Sequence, residues 1–396
     1  MALAFRAVDS LPWPSAGEFP AYPADAVGPT ELWAQAGILR DSNILRRETN
    51  RVGDTVTRLG VGFRHDQRIV GRQRLIMDAR GDYYIFNHFD DINHFAYALL
   101  GTWIWELGND LSGSVVLGRD RRQVDFSETT TLRTVFDPVD TTRIGANAAY
   151  AISPNLRAHG GVAGARAERD FTPDAETRAR SYNVGLDYVT PLRNTVGVEY
   201  RNTKTDAPVR ELVPGSGVLV NNDFQEHETA LVTVYSPIPS IRAVGRVGRT
   251  HREYVDLPER NFDGTTYRGG LDWMPGSKTI LGFEAYKAPQ SVIDVGVGHL
   301  IVKGIAFIPR WAATNKLVFS ARFARERRTF AGDPSFVLGI EPLRDELATL
   351  IRLAVGWEPQ RHWQLGFAID RGERESNFAG RDYQYTALMA NAAWHW

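Results

Sequence analysis

The feature that most constrains this chain is an alternation of apolar and polar residues with a period of two, running from about residue 31 to the last residue. In "WQLGFAID", Trp363, Leu365, Phe367 and Ile369 share one face, with Gln364, Gly366, Ala368 and Asp370 on the other. In "ELATLIRLAVGW", Leu347, Thr349, Ile351, Leu353, Val355 and Trp357 oppose Glu346, Ala348, Arg352 and Gly356. "YNVGLDY" sets Tyr182, Val184, Leu186 and Tyr188 against Asn183, Gly185 and Asp187. "RQRLIMDAR" sets Leu75, Met77 and Ala79 against Arg72, Arg74, Asp78 and Arg80. No comparable stretch carries a capped helical period, so the chain is all-β.

The strands are punctuated at two kinds of place. Six times an aromatic residue precedes a turn proline: "YAISPN", "YVTPLRN", "YSPIPS", "WMPGSK", "FIPRW" and "WEPQRHW". Their prolines, Pro154, Pro191, Pro237, Pro275, Pro309 and Pro359, lie 34 to 50 residues apart. "WELGND" (105–110) reads as the same kind of turn, and another falls within "RHDQRIV" (64–70). Between them lie long polar loops such as "ERDFTPDAETRAR", "VDLPERNFDG" and "RGERESNFAGRD". Each unit therefore holds two strands, giving about 18 in all, or about 16 if the first turns are misread.

Short turns alternating with long loops, around strands with one apolar face, describe a membrane barrel. Hydrocarbon cannot satisfy backbone amides, so a sheet in lipid must close without an edge. The expected fold is a single closed antiparallel transmembrane β-barrel over 31–396, with short periplasmic turns and long extracellular loops. It would sit in the outer membrane of a Gram-negative bacterium. The aromatics beside the short turns would lie at the membrane interface: Trp105, Tyr150, Tyr188, Tyr235, Trp273, Trp357 and Trp363. Trp394 and Trp396 belong with them, ending the strand "RDYQYTALMANAAWHW" on an aromatic, as such barrels usually do. Met389 and Asn391 depart from the usual pattern of that closing strand. Residues 1–30 do not alternate and are rich in proline, which suggests a periplasmic tail. No apolar run reaches the ~20 residues of a membrane helix. "MALAFRAVDSLPW" lacks the apolar centre of a secretory signal, so the sequence reads as a cytosolic chain or one already processed.

Composition narrows the chemistry. The net charge of −1 lacks the basic excess of a nucleic-acid binder. With no cysteine there is no disulfide, thiolate metal site or thiol nucleophile. The nine histidines form no helical metal pair; "NHFDDINH" (87–94) gathers two histidines with Asp90 and Asp91, but where an outer loop is expected. No nucleophile elbow or phosphate loop is present. No enzyme, metal or cofactor is expected. All but five of the 46 basic residues are arginine, a bias that a GC-rich genome would also give. What remains is the lumen. On the polar parity stand Arg72, Arg74, Asp78, Arg80, Asp187, Asp272, Glu284, Arg322, Glu346, Arg352 and Asp370, a wall of mixed charge of the kind that selects solutes.

"GILRDSNILRR" (37–47) looks like a site, with Arg40, Asp41, Ser42 and Asn43 between two Ile-Leu pairs. It reads as the first strand running up to an outer loop, "RETNRVGD", with a β-bulge near Asp41–Asn43 at the seam with the last strand. Together with "GRQRL", "YIFNHFDDIN" and "WELGNDLSG", it resembles the EpsL-type outer-membrane proteins of exopolysaccharide operons, which are grouped with β-barrel porins. The likeness concentrates in the first ~115 residues and carries over no catalytic residue. It implies an outer-membrane conduit for a secreted polysaccharide, working with periplasmic and inner-membrane export proteins. The barrel itself implies contact with outer-membrane lipid, lipopolysaccharide and the barrel-assembly machinery. The alternatives are a general or solute-specific diffusion porin and a non-conducting anchoring barrel.

Overall fold

The structure, a computed structural model, describes residues 29–123, 138–170, 176–207, 211–212, 219–258, 261–290, 299–331 and 344–396. The expected N-terminal tail lies outside the described residues, apart from its last two. The strands are β1 (Thr30–Asp41), β2 (Asp54–Arg68), β3 (Arg74–Phe86), β4 (His94–Leu107), β5 (Leu111–Gln123), β6 (Pro138–Ser153) and β7 (Leu156–Arg169). Next come β8 (Thr177–Val189), β9 (Thr195–Asp206), the two-residue β10 (Glu211–Leu212) and β11 (Leu219–Val220), β12 (Phe224–Ile238), β13 (Ile241–Tyr254) and β14 (Phe262–Gly276). The last six are β15 (Thr279–Gln290), β16 (His299–Ala312), β17 (Leu317–Ala331), β18 (Asp345–Trp357), β19 (Trp363–Ser376) and β20 (Tyr383–His395).

All but β10 and β11 form one 18-stranded antiparallel sheet, each strand paired with its neighbours in sequence. It closes where β1 pairs with β20, from Trp33 opposite His395 to Asp41 opposite Ala387. The strand count is 18, as the turn spacing indicates, rather than 16. No helix among the described residues is long and apolar enough to cross a membrane, so any crossing is made by strands.

Following the register around the ring gives two consistent faces. One carries the buried charged strand residues, among them Asp41, Arg58, Asp82, Asp187, Glu199, Arg252, Glu326, Glu346, Asp370 and Arg374. The other carries most of the exposed large apolar residues, such as Val61, Leu99, Leu117, Ile144, Val184, Val198, Val247, Ile305 and Phe367. Side chains crowd on the concave side of a barrel and diverge on the convex side. The charged face is therefore the interior and the apolar face meets lipid, the inverse of a soluble protein.

The two rims also differ. Short connections lie at the rim that holds both ends of the barrel, and there the convex residues are uncharged: Leu107, Tyr150, Tyr188, Trp311, Phe319 and Trp357. At the long-loop rim the convex residues are charged, including Arg119, Arg121, Asp140, Arg166, Lys204, Arg249, Lys303 and Arg327. This asymmetry orients the long loops toward the exterior.

Three local expectations need correction. The turn expected within "RHDQRIV" (64–70) lies later: β2 continues through Arg68, and the reversal is the next five residues, from Ile69 to Gln73, where Gly71 has φ +58°. Arg72 therefore stands in that turn and not on the barrel wall. Its guanidinium reaches the carbonyl of Gly108 (3.2 Å) and the side chain of Asn109 (3.3 Å) in the adjacent turn. Pro309 lies inside β16, where the ladder to β17 lapses between Phe307 and Arg310 because proline has no amide hydrogen to give. Finally, β1 shows no bulge near Asp41; its register with β2 is unbroken from Thr30 to Asp41.

The largest apolar cluster lies at the outer part of the interior. Ile44 and Leu45 of the β1–β2 loop and Ile92 of the β3–β4 loop pack with Leu39, Val56, Phe86, Leu350, Ala387 and Met389. The second Ile-Leu pair of the opening motif thus turns inward after the strand has ended. "NHFDDINH" forms a short 3-10 turn at Asp90–Ile92 with Ile92 buried. Among the described residues no cluster of metal-ligating side chains occurs.

Candidate functional site: the charged interior wall

The interior wall is built from long polar side chains lying over small residues of the adjoining strand. On β7–β9, Arg157 pairs with Asp187 (2.7 Å), and His159 lies between Asp187 (3.1 Å) and Glu199 (3.2 Å). Arg246 of β13 holds Glu199 at 2.8 Å and also binds Glu228 of β12, which accepts a hydrogen bond from Thr266 of β14 (3.1 Å). Glycine makes this possible: a Cβ on Gly185 would lie 2.5 Å from His159 Nε2. One connected network therefore crosses six strands, from β7 to β14.

A second set of separate polar contacts covers β15–β19. Arg322 reaches Glu284 at 3.0 Å across β16, and Arg352 grips Asp370 with two bonds of 2.7 and 2.6 Å. Tyr286 extends over Gly304 to hydrogen-bond Glu326, which also accepts from Arg328 (2.6 Å). Arg344 holds Glu346 at 2.6 Å. On β1–β3, Asp82 collects Arg58 (2.9 Å) and Gln35 (2.8 Å), with Arg80 at 3.9 Å.

Most carboxylates of the wall are thus matched, and some arginines are not. Arg246 and Arg268 are direct cross-strand partners at mid-depth. Arg246 has two carboxylates; Arg268 is half-buried and has none among the described residues. Arg322 and Arg352 are likewise direct partners, and Arg322 Nε is buried without a hydrogen-bond acceptor among the described residues. Like charges placed opposite one another repel, so such pairs favour an anion between or beside them. Among the described strand residues, each Arg-or-Lys position on this wall is arginine, while the strand lysines Lys204, Lys287 and Lys303 project outward. Arginine's planar fork suits carboxylate recognition.

Toward the outer mouth, the wall carries arginines over aromatic rings. Arg46 lies 3.6 Å from the ring centre of Tyr385, Arg344 4.0 Å from Phe330, Arg252 4.3 Å from Phe224 and Arg374 4.6 Å from Tyr383. The rings are buried, as are Arg46, Arg252 and Arg374, so these contacts brace the wall near the entrance.

The first-strand motif sits at the seam. Asp41 is fully buried and forms a two-bond ion pair with Arg46, which is in the left-handed region at φ 53°. The Ser42 amide donates to the Thr386 carbonyl (3.0 Å), and Ser42 Oγ accepts from the Thr386 amide (2.8 Å). Asn43 Nδ2 donates to the carbonyls of Arg47 (2.8 Å) and Gln384 (3.1 Å). Arg40 faces outward and bonds Thr55 at 2.9 Å. The motif pins the first loop to the last strand.

Of the residues picked from sequence, Arg74, Asp78, Arg80, Asp187, Asp272, Glu284, Arg322, Glu346, Arg352 and Asp370 share the concave face, and Arg72 does not. The structure joins Arg322 to Glu284 and Arg352 to Asp370; Asp272 lies opposite Arg242, and Arg74 pairs with Asp66 near the short-turn rim. Trp105, Tyr150, Tyr188, Tyr235, Trp273, Trp357, Trp363 and Trp394 stand on the convex parity near that rim, and Trp396 follows the last strand. Trp363 and Trp394 meet edge-to-face at 4.9 Å. Missed from sequence were His159, Glu199, Glu228, Arg246, Arg268, Tyr286 and Glu326. The signal was available, since "LRAHGGV", "VGVEYRN" and "RAVGRVGR" carry the same alternation.

No family model matches the sequence, and no curated protein matches it. Solved outer-membrane porins of Pseudomonas aeruginosa share the architecture. OpdK with vanillate superposes with a TM-score of 0.50 at 11% identity, covering 93% of this chain and 99% of that one. OccK2 (OpdF) in complex with glucuronate gives 0.50 at 10% identity, covering 92% and 97%. At these identities the likeness is one of fold alone, that of an outer-membrane porin barrel. The expected kinship with exopolysaccharide-operon proteins gains no support from these comparisons.

Proposed function

We propose that this protein is a solute-selective diffusion channel of the outer membrane, admitting small organic anions, carboxylates foremost. The observation that carries the reading is Arg268, half-buried at mid-depth beside Arg246 with no carboxylate of its own among the described residues. The two solved barrels described above hold vanillate and glucuronate, both carboxylates. Porin barrels of 16–18 strands leave an aqueous channel. A polysaccharide conduit, expected from the sequence resemblance, draws on the same polar wall but has no observation that singles out a polymer.

Swelling of liposomes containing the protein tests the reading. Sodium glucuronate should enter faster than neutral glucose, and Arg268→Glu should slow glucuronate roughly tenfold, the effect of losing about 1.4 kcal/mol of interaction. Equal entry of the two solutes, unaffected by the substitution, would overturn it.

A further inference from the structure

We propose that the convex surface at the outer ends of β15, β16 and β17 binds the phosphorylated sugar headgroup of an outer-leaflet glycolipid of the lipid A class. Lys287 and Lys303 are direct cross-strand partners on the lipid-facing parity. Neither has a carboxylate partner among the described residues, and like charges so placed repel unless an anion lies between them. The next residue along the same row, Arg327, is occupied by Asp345 at 2.6 Å. Arg325, two positions along β17 toward the membrane centre, is exposed and has no acid partner among the described residues. Three uncommitted cations therefore converge where the strands leave the hydrocarbon on the long-loop side.

The surface beneath them is apolar. Phe283, Phe307 and Phe323 form a continuous row with ring centres 5.0 and 6.2 Å apart, and Ile305 beside them is 60% exposed. A ligand that suits both halves carries negative charge on a head and saturated chains below it, which is a phosphorylated glycolipid and not a free anion. The remaining strand lysine, Lys204, faces its own acid, Asp206, at 3.8 Å and provides an internal comparison.

Native mass spectrometry of the full chain in detergent, with lipid A bearing two phosphates or none, tests the assignment. The phosphorylated lipid should bind at least tenfold more tightly. The double substitution Lys287→Gln, Lys303→Gln should remove that difference, while Lys204→Gln preserves it. Millimolar inorganic phosphate should not displace the lipid. Equal binding of the two lipids by the unsubstituted protein would overturn the proposal without requiring any variant to fold. So would displacement by inorganic phosphate, or phosphate preference that survives in the double variant.

Discussion

At the scale of single residues, the Asp41–Arg46 pair is the most exposed to a decisive substitution. Both side chains are almost wholly buried, at 0% and 3% exposure, and Asp41 also accepts from the Asn43 amide at 2.8 Å. Removing one partner of such a pair leaves a buried charge without its counter-ion, at a cost of about 3–5 kcal/mol. Asp41→Ala should lower the unfolding free energy in urea-titrated vesicles by that order and loosen the β1–β2 loop; a change below about 0.5 kcal/mol would show that the pair is unimportant. The residue types of "RDSN" marked the motif as unusual, but alternation alone could not reveal its partner. Arg46 turns back on Asp41 only because the chain leaves the strand at Ser42, and this depends on pairing with Thr386 at the far end of the sequence.

At the scale of strands, polarity and turn chemistry made most elements legible. Pro154, Pro191 and Pro359 mark real turns, whereas Pro237 and Pro275 sit at irregular strand ends and Pro309 within a strand. The signal blurs because a missing amide hydrogen is tolerated wherever the ladder can lapse, not only in a turn. Side chains that reach across a strand were illegible, since they depend on which neighbour is small. Gly304 illustrates this: a Cβ there would lie 2.4 Å from Tyr286 Cζ. Gly304→Ala should push Tyr286 off Glu326 and destabilise the barrel by about 1–3 kcal/mol. Tyr286→Phe, which removes only the hydroxyl, should cost about 1 kcal/mol. Urea unfolding of both variants checks the order; a larger loss in Tyr286→Phe would contradict the close-packing account.

At the scale of the molecule, closure of the barrel follows from the apolar parity of its strands, and the sequence carried that parity almost throughout. What it could not carry is how charges on different strands combine. Arg268 and Arg246 belong to strands with separate turns, and their opposition appears only once the register is known. The same holds for the network that runs from Arg157 through His159 and Glu199 to Glu228. Whether this wall selects anions is the central claim, and the reversal potential of single channels in a planar bilayer under a KCl gradient tests it most directly. The account predicts a potential displaced toward the chloride equilibrium value, with the displacement reduced in Arg268→Glu. A potential on the potassium side, or a folded barrel that conducts nothing, would contradict it.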